Sequence, residues 1–433
     1  MPHISAFRAL RYDPGHVGSL QGVIAPARPL DREETNELYQ RHPANAIRLI
    51  QNRDEPGDDQ NARHERAGRF FRNWQREGVL QREPDPAIYA YHQQFVDEGR
   101  TLTRRGFICR TKIDHIDAVT MDDVTDAAAI QMAKTISQCE ANVSPVVGIY
   151  DGDSNEPQQV LEDAIVGIAP VEATDAEDVL HRIWPITDVQ LINRVISAIS
   201  PRSMFVAAGL HAYEGARAYR SSRGADLAEH DAAQSVMTIC FHAQDPGLIP
   251  ASGHRLFAGF APFDSENLKS RLSGHFDVRI AGEGSDLAEM IFDQIRIEDE
   301  TSSIGFYCPA DERWVVAKLN EQGRQAMDEI APDQYAPWRY AGSNTLDRLV
   351  VESLLDVPAD RDCRIVHHTE QLIESLDQQH DQAISACGMA AITMPPSIDL
   401  MFELSKRSET ISAQTLQLYP SSYSGLVFDP HEA

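Results

Sequence analysis

The sequence predicts a mixed α/β (α+β) protein, two-lobed, with mixed sheets, hairpins and crossover helices. Three observations point there. Strand and helix patterns alternate along almost the whole chain. Some strands are paired as hairpins, AIYAYHQQFV with TLTRRGFICRTKI and SIGFYC with RWVVAKL, while others are separated by stretches of helical period. At 433 residues the chain exceeds what one ordinary core holds.

Taken in order, LDREETNELYQ opens a helix with a capping box, in which Asp31 accepts from the amide of Glu34 and Glu34 reaches back. NAIRLIQ, residues 45–51, reads as a strand, and NRDEPGDDQ as a polar loop. The next helix spans about residues 61–77, with Ala67, Phe70, Phe71 and Trp74 as its apolar face and Gly78 as its stop. The first hairpin turns at Asp97-Glu98-Gly99. Met121, Val124, Ala128, Met132, Ile136, Cys139 and Val143 recur at steps of three or four, the stripe of one helix.

VSPVVGIYDG is a buried strand, TDVQLINRVISAIS an amphipathic helix, and MFVAA a strand running directly into the helix GLHAYEGARAYR. The polar stretch SSRGADLAEHDAAQ marks the expected boundary between domains 1–228 and 229–433, unless the two halves interleave. Beyond it, SVMTICFHA is a strand and Pro309-Ala310-Asp311 the turn of the second hairpin. NTLDRLVVESLLD is a helix with Leu346, Leu349, Val350 and Leu354 inward.

Composition narrows the function classes. Sixty-six acidic against 39 basic residues leave a net charge of −27, which repels phosphate backbones and anionic membranes, so neither nucleic acid nor membrane is expected as a partner. The six cysteines are scattered without metal-knuckle or redox spacing. Cys240 and Cys308 sit in apolar runs, as small buried hydrophobes of a reducing compartment do. MPHISAFRALRY lacks the apolar core of a leader peptide, and the expected location is cytoplasmic.

The most informative segment is VAAGLHAYEGARAYR, residues 206–220, where a strand ends at Gly209 and a helix begins beside His211. Amides at a helix start favour an anion, and His211, Tyr213 and Glu214 stand close to it. The residues alone favour a tight turn at Gly209 with Tyr213 and Tyr219 packed. In SGHRLF, His254 and Arg255 offer anion contacts, though the residues alone favour a strand-edge pair facing solvent. AGEGSDL lacks a P-loop lysine and reads as a strand-to-helix turn capped by Ser285. His367 and His368, adjacent on a strand, would face opposite ways, so no metal is expected. Asp122, Asp123 and Asp126 suit a first helical turn.

Several segments together resemble the bacterial and archaeal family catalogued as domain of unknown function 1015: ISAFRALRYDP, NAIRL, AIYAYHQQF with RRGFI, ANVSP, GLHAYEGARAYR, SGHRLF and YPSSYSGLVF. The family's run Asp-Gly-His-His-Arg-Tyr-Glu-Thr is in turn similar to the Gly-His-His-Arg run of ParB-like phosphotransferases, which include a free-serine kinase. The resemblance therefore implies phosphoryl transfer from a Mg-nucleotide. This chain departs from the run at Ala208, Leu210, Ala212 and Gly215, and keeps His211, Tyr213 and Glu214. It departs again at Ala27-Arg28-Pro29, near Met121-Asp122-Asp123, near Ala129, Gln131 and Met132, at Gln414-Thr415-Leu416 and at Ser421, while Arg48, His254 and Arg255 are kept.

Charged groups are replaced mostly by small or apolar ones. The resemblance thus implies a catalytically degenerate member that binds a small ligand, a protein partner or a related family member. Alternatives are a phosphotransferase with His211 and Glu214 as acid/base pair and Arg48, Gly209, Tyr213, His254 and Arg255 as ligand contacts, or an enzyme for a less charged substrate.

Overall fold

In the computed structural model the described residues are 2–97, 99–118, 120–121, 126–224, 227–228, 231–298, 302–355, 357–358, 361–381, 387–407, 409–411 and 417–431. The chain divides into two compact units, one of residues 1–249 with 418–433 and one of residues 250–417. Among the described residues no helix is long and apolar enough to cross a membrane.

Unit 1 is built on a mixed sheet. Its strands are β1 (Ile4–Ser5), β2 (Ile88–Asp97), β3 (Arg100–Lys112), β4 (Asp117–Ala118), β5 (Val146–Tyr150), β6 (Val171–Thr174), β7 (Leu180–Ile186), β8 (Met204–Ala208) and β9 (Ser235–His242). Their order is β6-β7-β2-β3-β9-β5-β8-β4, with β1 paired to β3. The expected hairpin is β2–β3, antiparallel from Tyr89↔Ile108 to Asp97↔Arg100. β5 runs parallel to β9 and antiparallel to β8. β5 is buried at every position and reads as a continuous apolar run, as a central strand covered on both faces does.

The helices of unit 1 that matter below are α1 (Arg32–Arg41), α2 (Ile47–Ile50), α3 (Ala62–Arg76), α4 (Asp126–Cys139), α5 (Glu156–Ile165), α6 (Val189–Ile199) and α7 (Leu210–Ser222). The capping box of α1 is present in full: Asp31 accepts from the amides of Glu33 and Glu34, and Glu34 accepts from the amide of Asp31. One core cluster joins Phe107, Val146, Tyr150 and Val206 of the sheet to Val195 of α6 and to Leu210, Tyr213 and Tyr219 of α7.

Unit 2 carries an antiparallel sheet of β10 (His254–Ala258), β11 (Phe276–Glu283), β12 (Ser303–Cys308), β13 (Arg313–Leu319), β14 (Asp362–Val366) and β15 (Cys387–Thr393), in the order β11-β13-β12-β15-β10-β14. The second expected hairpin is β12–β13. Cys240 and Cys308 are fully buried and unbridged, as their apolar surroundings predict.

Several local expectations are corrected. Residues 45–51 form a helical turn, not a strand. Asn45 directs it: its Oδ1 accepts from the Ile47 amide at 2.9 Å while its Nδ2 donates to the Gly22 and Ile24 carbonyls. Ile47 and Leu49 are buried and Arg48 and Ile50 are not, which imitates the alternation of a strand. The helix expected from Met121 to Val143 is shorter. Met121 lies in a two-residue strand, α4 starts at Asp126, and Glu140 takes a left-handed φ of 50° that ends it.

Ser285 does not cap a helix; its hydroxyl donates to Asp377 at 2.7 Å, and Gly284 makes the turn. His367 and His368 follow the end of β14 and are not strand residues. Residues 345–354 are wound with i→i−5 bonds, continued by Leu355 N–H to Val350 O at 2.8 Å. The wider turn brings Val351 inward as well, while Leu354, expected inward, is half-buried against the same core. Asp122, Asp123, Val124, Gln414, Thr415 and Leu416 lie outside the described residues.

Candidate functional site

The α7 start is shaped by one glycine. β8 ends at Ala208, and Gly209 takes φ 78° and ψ 27° before α7 opens at Leu210. A Cβ at 209 would sit 2.8 Å from the Pro145 carbonyl oxygen and 3.0 Å from Val146 Cα. Residue 209 therefore has two reasons to be glycine, the left-handed backbone and the neighbouring chain. Farther along, Gly215 lets α4 approach α7, because a Cβ there would fall 2.5 Å from Met132 Cγ.

This close packing leaves a cavity of about 320 Å³ at the α7 N-terminus, lined wholly by unit 1. Gly209 stands just before α7, and His211 and Ala212 come from its first turn. Ala128, Gln131, Met132 and Thr135 come from α4, and Arg63, His64 and Ala67 from α3. Residues 27–29, residues 49–52 and Ser144 complete it.

Several polar groups of this lining are tied to one another. His64 is buried, with Nδ1 2.8 Å from Thr135 Oγ1 and Nε2 2.7 Å from Gln131 Oε1. Gln131 Oε1 also accepts from Arg63 Nη2 at 2.8 Å, Arg63 Nε lies 3.3 Å from His64 Nε2, and the Thr135 hydroxyl lies 3.3 Å from the Gln131 backbone carbonyl. Burial lowers the His64 pKa, partly opposed by the bond to Gln131.

Arg63 lies 3.7 Å from Asp54. Arg28 is held by Glu34 at 2.7 Å. Gln51 exchanges bonds with the Leu30 backbone, and Asn52 donates to Arg48 O and accepts from Arg66 Nε. Both guanidinium groups on the lining are thus matched by carboxylates, and beside these polar groups, the His211 imidazole and Ser144 the remaining surface is aliphatic and small. The arrangement can enclose a small, largely apolar group.

Of the residues expected at a site, Gly209 and His211 reach this cavity. Arg48 precedes the lining residue Leu49 but turns back, donating to the Tyr39 carbonyl at 2.8 Å with Cζ 4.2 Å above the Tyr39 ring. Tyr213 points into the core, its hydroxyl 3.3 Å from the Ile113 and Ile116 carbonyls, and burial raises its pKa. Glu214 forms a two-oxygen ion pair with Arg217 at 2.9 Å one turn along the helix.

His254 and Arg255 belong to unit 2. Arg255 is buried, donating to Asp347 at 2.9 Å and to the Gly253 carbonyl at 2.6 Å. His254 is buried edge-on to Phe292 at 5.3 Å between centroids, and burial pushes its pKa down to about 3. Positions singled out from scattered segments, Ala27-Arg28-Pro29, Gln131, Met132, His211 and Ala212, share the one cavity.

His64 went unnoticed in the sequence. Its spacing offered a signal, since His64, Ala67, Phe71 and Trp74 fall at helical steps along one buried face. Among the described residues no group of three or more His, Cys, Asp or Glu side chains is placed to hold a metal ion.

The profile of a protein family of unknown function, DUF1015, matches residues 4–352. No curated protein matches. Among solved structures the chain is similar to a free serine kinase in complex with AMP, at 10% identity and TM-score 0.33, covering 72% of this chain and 86% of that one. It is also similar to a conserved hypothetical protein from Pyrococcus furiosus, at 10% identity and TM-score 0.31, covering 72% and 90%. A third similar structure is SbnI with a C-terminal truncation from Staphylococcus aureus, at 9% identity and TM-score 0.34, covering 73% and 85%.

Proposed function

We propose, for a chain that belongs to the DUF1015 family of proteins of unknown function, that the cavity at the α7 N-terminus binds a small, neutral, largely apolar ligand without chemical turnover. The observation that supports this reading is the state of the polar lining: His64, Gln131, Thr135 and Gln51 are joined to each other or to backbone, and Arg28 and Arg63 to carboxylates. An enzyme that moves phosphoryl groups needs cationic donors aimed at the charge that develops in the transition state, each worth about 2.7–4 kcal/mol. In this lining the cationic donors point to Glu34, Asp54 and Gln131 instead. The chain is then a divergent, catalytically degenerate family member.

A second reading keeps nucleotide-linked phosphoryl transfer, as in the free serine kinase. Its support is the start of α7, where Gly209 and His211 face the cavity and backbone amides favour an anion. In that reading Glu214 is the partner of His211 in proton transfer.

A thermal-unfolding screen separates the two. The first reading expects indole and p-cresol to raise Tm, and ATP, ADP, CTP or pyrophosphate to leave it unchanged with or without Mg²⁺ and free serine. At 100 times its dissociation constant a ligand stabilises the fold by about 2.7 kcal/mol. Met132→Trp, which fills the cavity, should remove the shift. A nucleotide-dependent rise, with turnover abolished by His211→Ala and by Glu214→Gln, would overturn the proposal in favour of the second reading.

A further inference from the structure

A second concavity of unit 1, of about 500 Å³, lies where two parallel strands end. β5 and β9 run side by side with Tyr150 beside His242, so their carboxyl ends point the same way. β8 runs against β5, with Met204 beside Tyr150 and Ala208 beside Val147, so Gly209 and the start of α7 stand at the other end of these strands. In open α/β sheets ligands bind in the crevice outside the carboxyl ends of the strands. Arg105 of β3, the first turns of α5 with the residue before it, and the loop that follows β9 line the hollow.

Gln158 of α5 is the telling residue. It is 3% exposed, and its Nε2 donates to Glu162 Oε1 at 2.5 Å, which fixes which way the amide points. Its Oε1 is then buried with no hydrogen-bond partner among the described residues, a costly state for an acceptor. Acceptor capacity remains beside it. Glu162 Oε1 also meets His92 Nε2 at 2.7 Å, but Oε2 meets only Arg105 Nε, at 4.0 Å. The buried Asp245 accepts once on each oxygen, from the Gly247 amide at 2.9 Å and the Arg105 amide at 3.3 Å, where a carboxylate offers about four lone-pair sites. Donors stand around these acceptors. They are the half-exposed Arg105 guanidinium and the side-chain amides of Gln159, Gln244 and Asn155, the last with its oxygen taken by the Tyr150 hydroxyl at 2.8 Å. His242 is spent on the Gly152 carbonyl at 3.0 Å and the Gln244 backbone amide at 3.3 Å, and so holds the loop in place.

Charge decides the class of ligand. An anion in this hollow would meet Asp245 and Glu162, and a cation would meet Arg105. A hydroxyl group donates and accepts at once, and so suits both sets of groups. We propose that the hollow binds a small uncharged polyhydroxylated molecule, a sugar or polyol, whose hydroxyls donate to Asp245, Glu162 and Gln158 Oε1 and accept from Arg105 and the neighbouring amides. The site is independent of the ligand proposed for the α7 cavity, with which it shares no lining residue.

The test is calorimetric titration of the whole chain with ribose, glucose, myo-inositol and sorbitol. Binding is read directly, because polyols also raise Tm by exclusion from any protein surface. Saturable binding of at least one is expected, roughly tenfold or more weaker in Gln158→Met and in Asp245→Asn. Gln190→Met, the same loss of an amide on an exposed residue of α6 outside the hollow, should bind as the parent does. Preference for a ring compound over sorbitol would mark a cyclic ligand, and the reverse an open-chain polyol. Absence of saturable binding at tens of millimolar sugar overturns the proposal. So does an equal loss in Gln190→Met, and so does binding of Ca²⁺ or putrescine in place of every sugar, which would mean a cation site. Thermal unfolding of each variant confirms that it is folded.

Discussion

Gly209→Ala tests the joint on which the α7 cavity depends. The residue sits at φ 78°, where an L side chain costs about 1–2 kcal/mol. Its added Cβ would also press to 2.8 Å from the Pro145 carbonyl oxygen and 3.0 Å from Val146 Cα. Both are backbone atoms of the segment leading into β5, a fully buried central strand, so relief requires moving the chain and adds about 1–3 kcal/mol. The sum is roughly 3 kcal/mol, and for a unit of this size that lowers Tm by about 6 °C or more.

Gly167→Ala is the matched control. Its φ is 76°, nearly the same, yet nothing lies within 4 Å of its Cβ position. It should cost the backbone strain alone, about 1 kcal/mol, or roughly 2 °C. The assay is thermal unfolding of both variants followed by circular dichroism, with ligand-induced shifts measured on each. Equal losses would refute the argument that Pro145 and Val146 leave no room. A neutral Gly209→Ala would refute the left-handed start of α7 itself.

Three further outcomes are expected. Gly215→Ala should destabilise by about 1–2 kcal/mol through contact with Met132, despite the better helix propensity of alanine, and only part of that loss should vanish in the Met132→Ala background, because the Cβ of residue 132, 2.6 Å from the added methyl, remains; a neutral Gly215→Ala would contradict the packing. Removing Arg255 by Arg255→Met leaves Asp347 without its partner and should cost about 3 kcal/mol, at the low end for such pairs because 32% of the Asp347 side chain remains exposed; adding Asp347→Asn should recover most of it in urea unfolding. His254 has a folded pKa near 3, pushed down by burial and then by His367, His368 and Arg255. The folded state therefore binds fewer protons than the unfolded one. The stability it contributes is full above about pH 6.5 and is lost as pH falls toward 3, at about 1.4 kcal/mol per pH unit. Between pH 6.5 and 5 the parent should thus lose about 2 kcal/mol more than His254→Gln, and parallel pH profiles would contradict this.

What the sequence by itself determined was local. The hairpins β2–β3 and β12–β13, the capping box at Asp31 and Glu34 and the turn at Gly209 follow from neighbours a few residues apart, so their patterns are complete within a short window. Burial pattern misled where long-range bonds intervened, as at Asn45, whose amide reaches back to Gly22 and Ile24 and curls an alternating segment into a helical turn.

Only the tertiary structure decided the rest. It brings Arg28, His64, Gln131 and His211 into one cavity from four separate segments, and gathers Arg105, Gln158 and Asp245 into another. It returns the end of the chain to unit 1, where the buried Arg104 donates to the Tyr419 and Pro420 carbonyls and Asp429 pairs with Arg110. It also settles what the polar groups do, because a histidine or arginine has the same letter whether its donors are spent on neighbours or left for a ligand. That depends on distances between residues far apart in the chain, and those exist only once the two helices α4 and α7 have closed over Gly215.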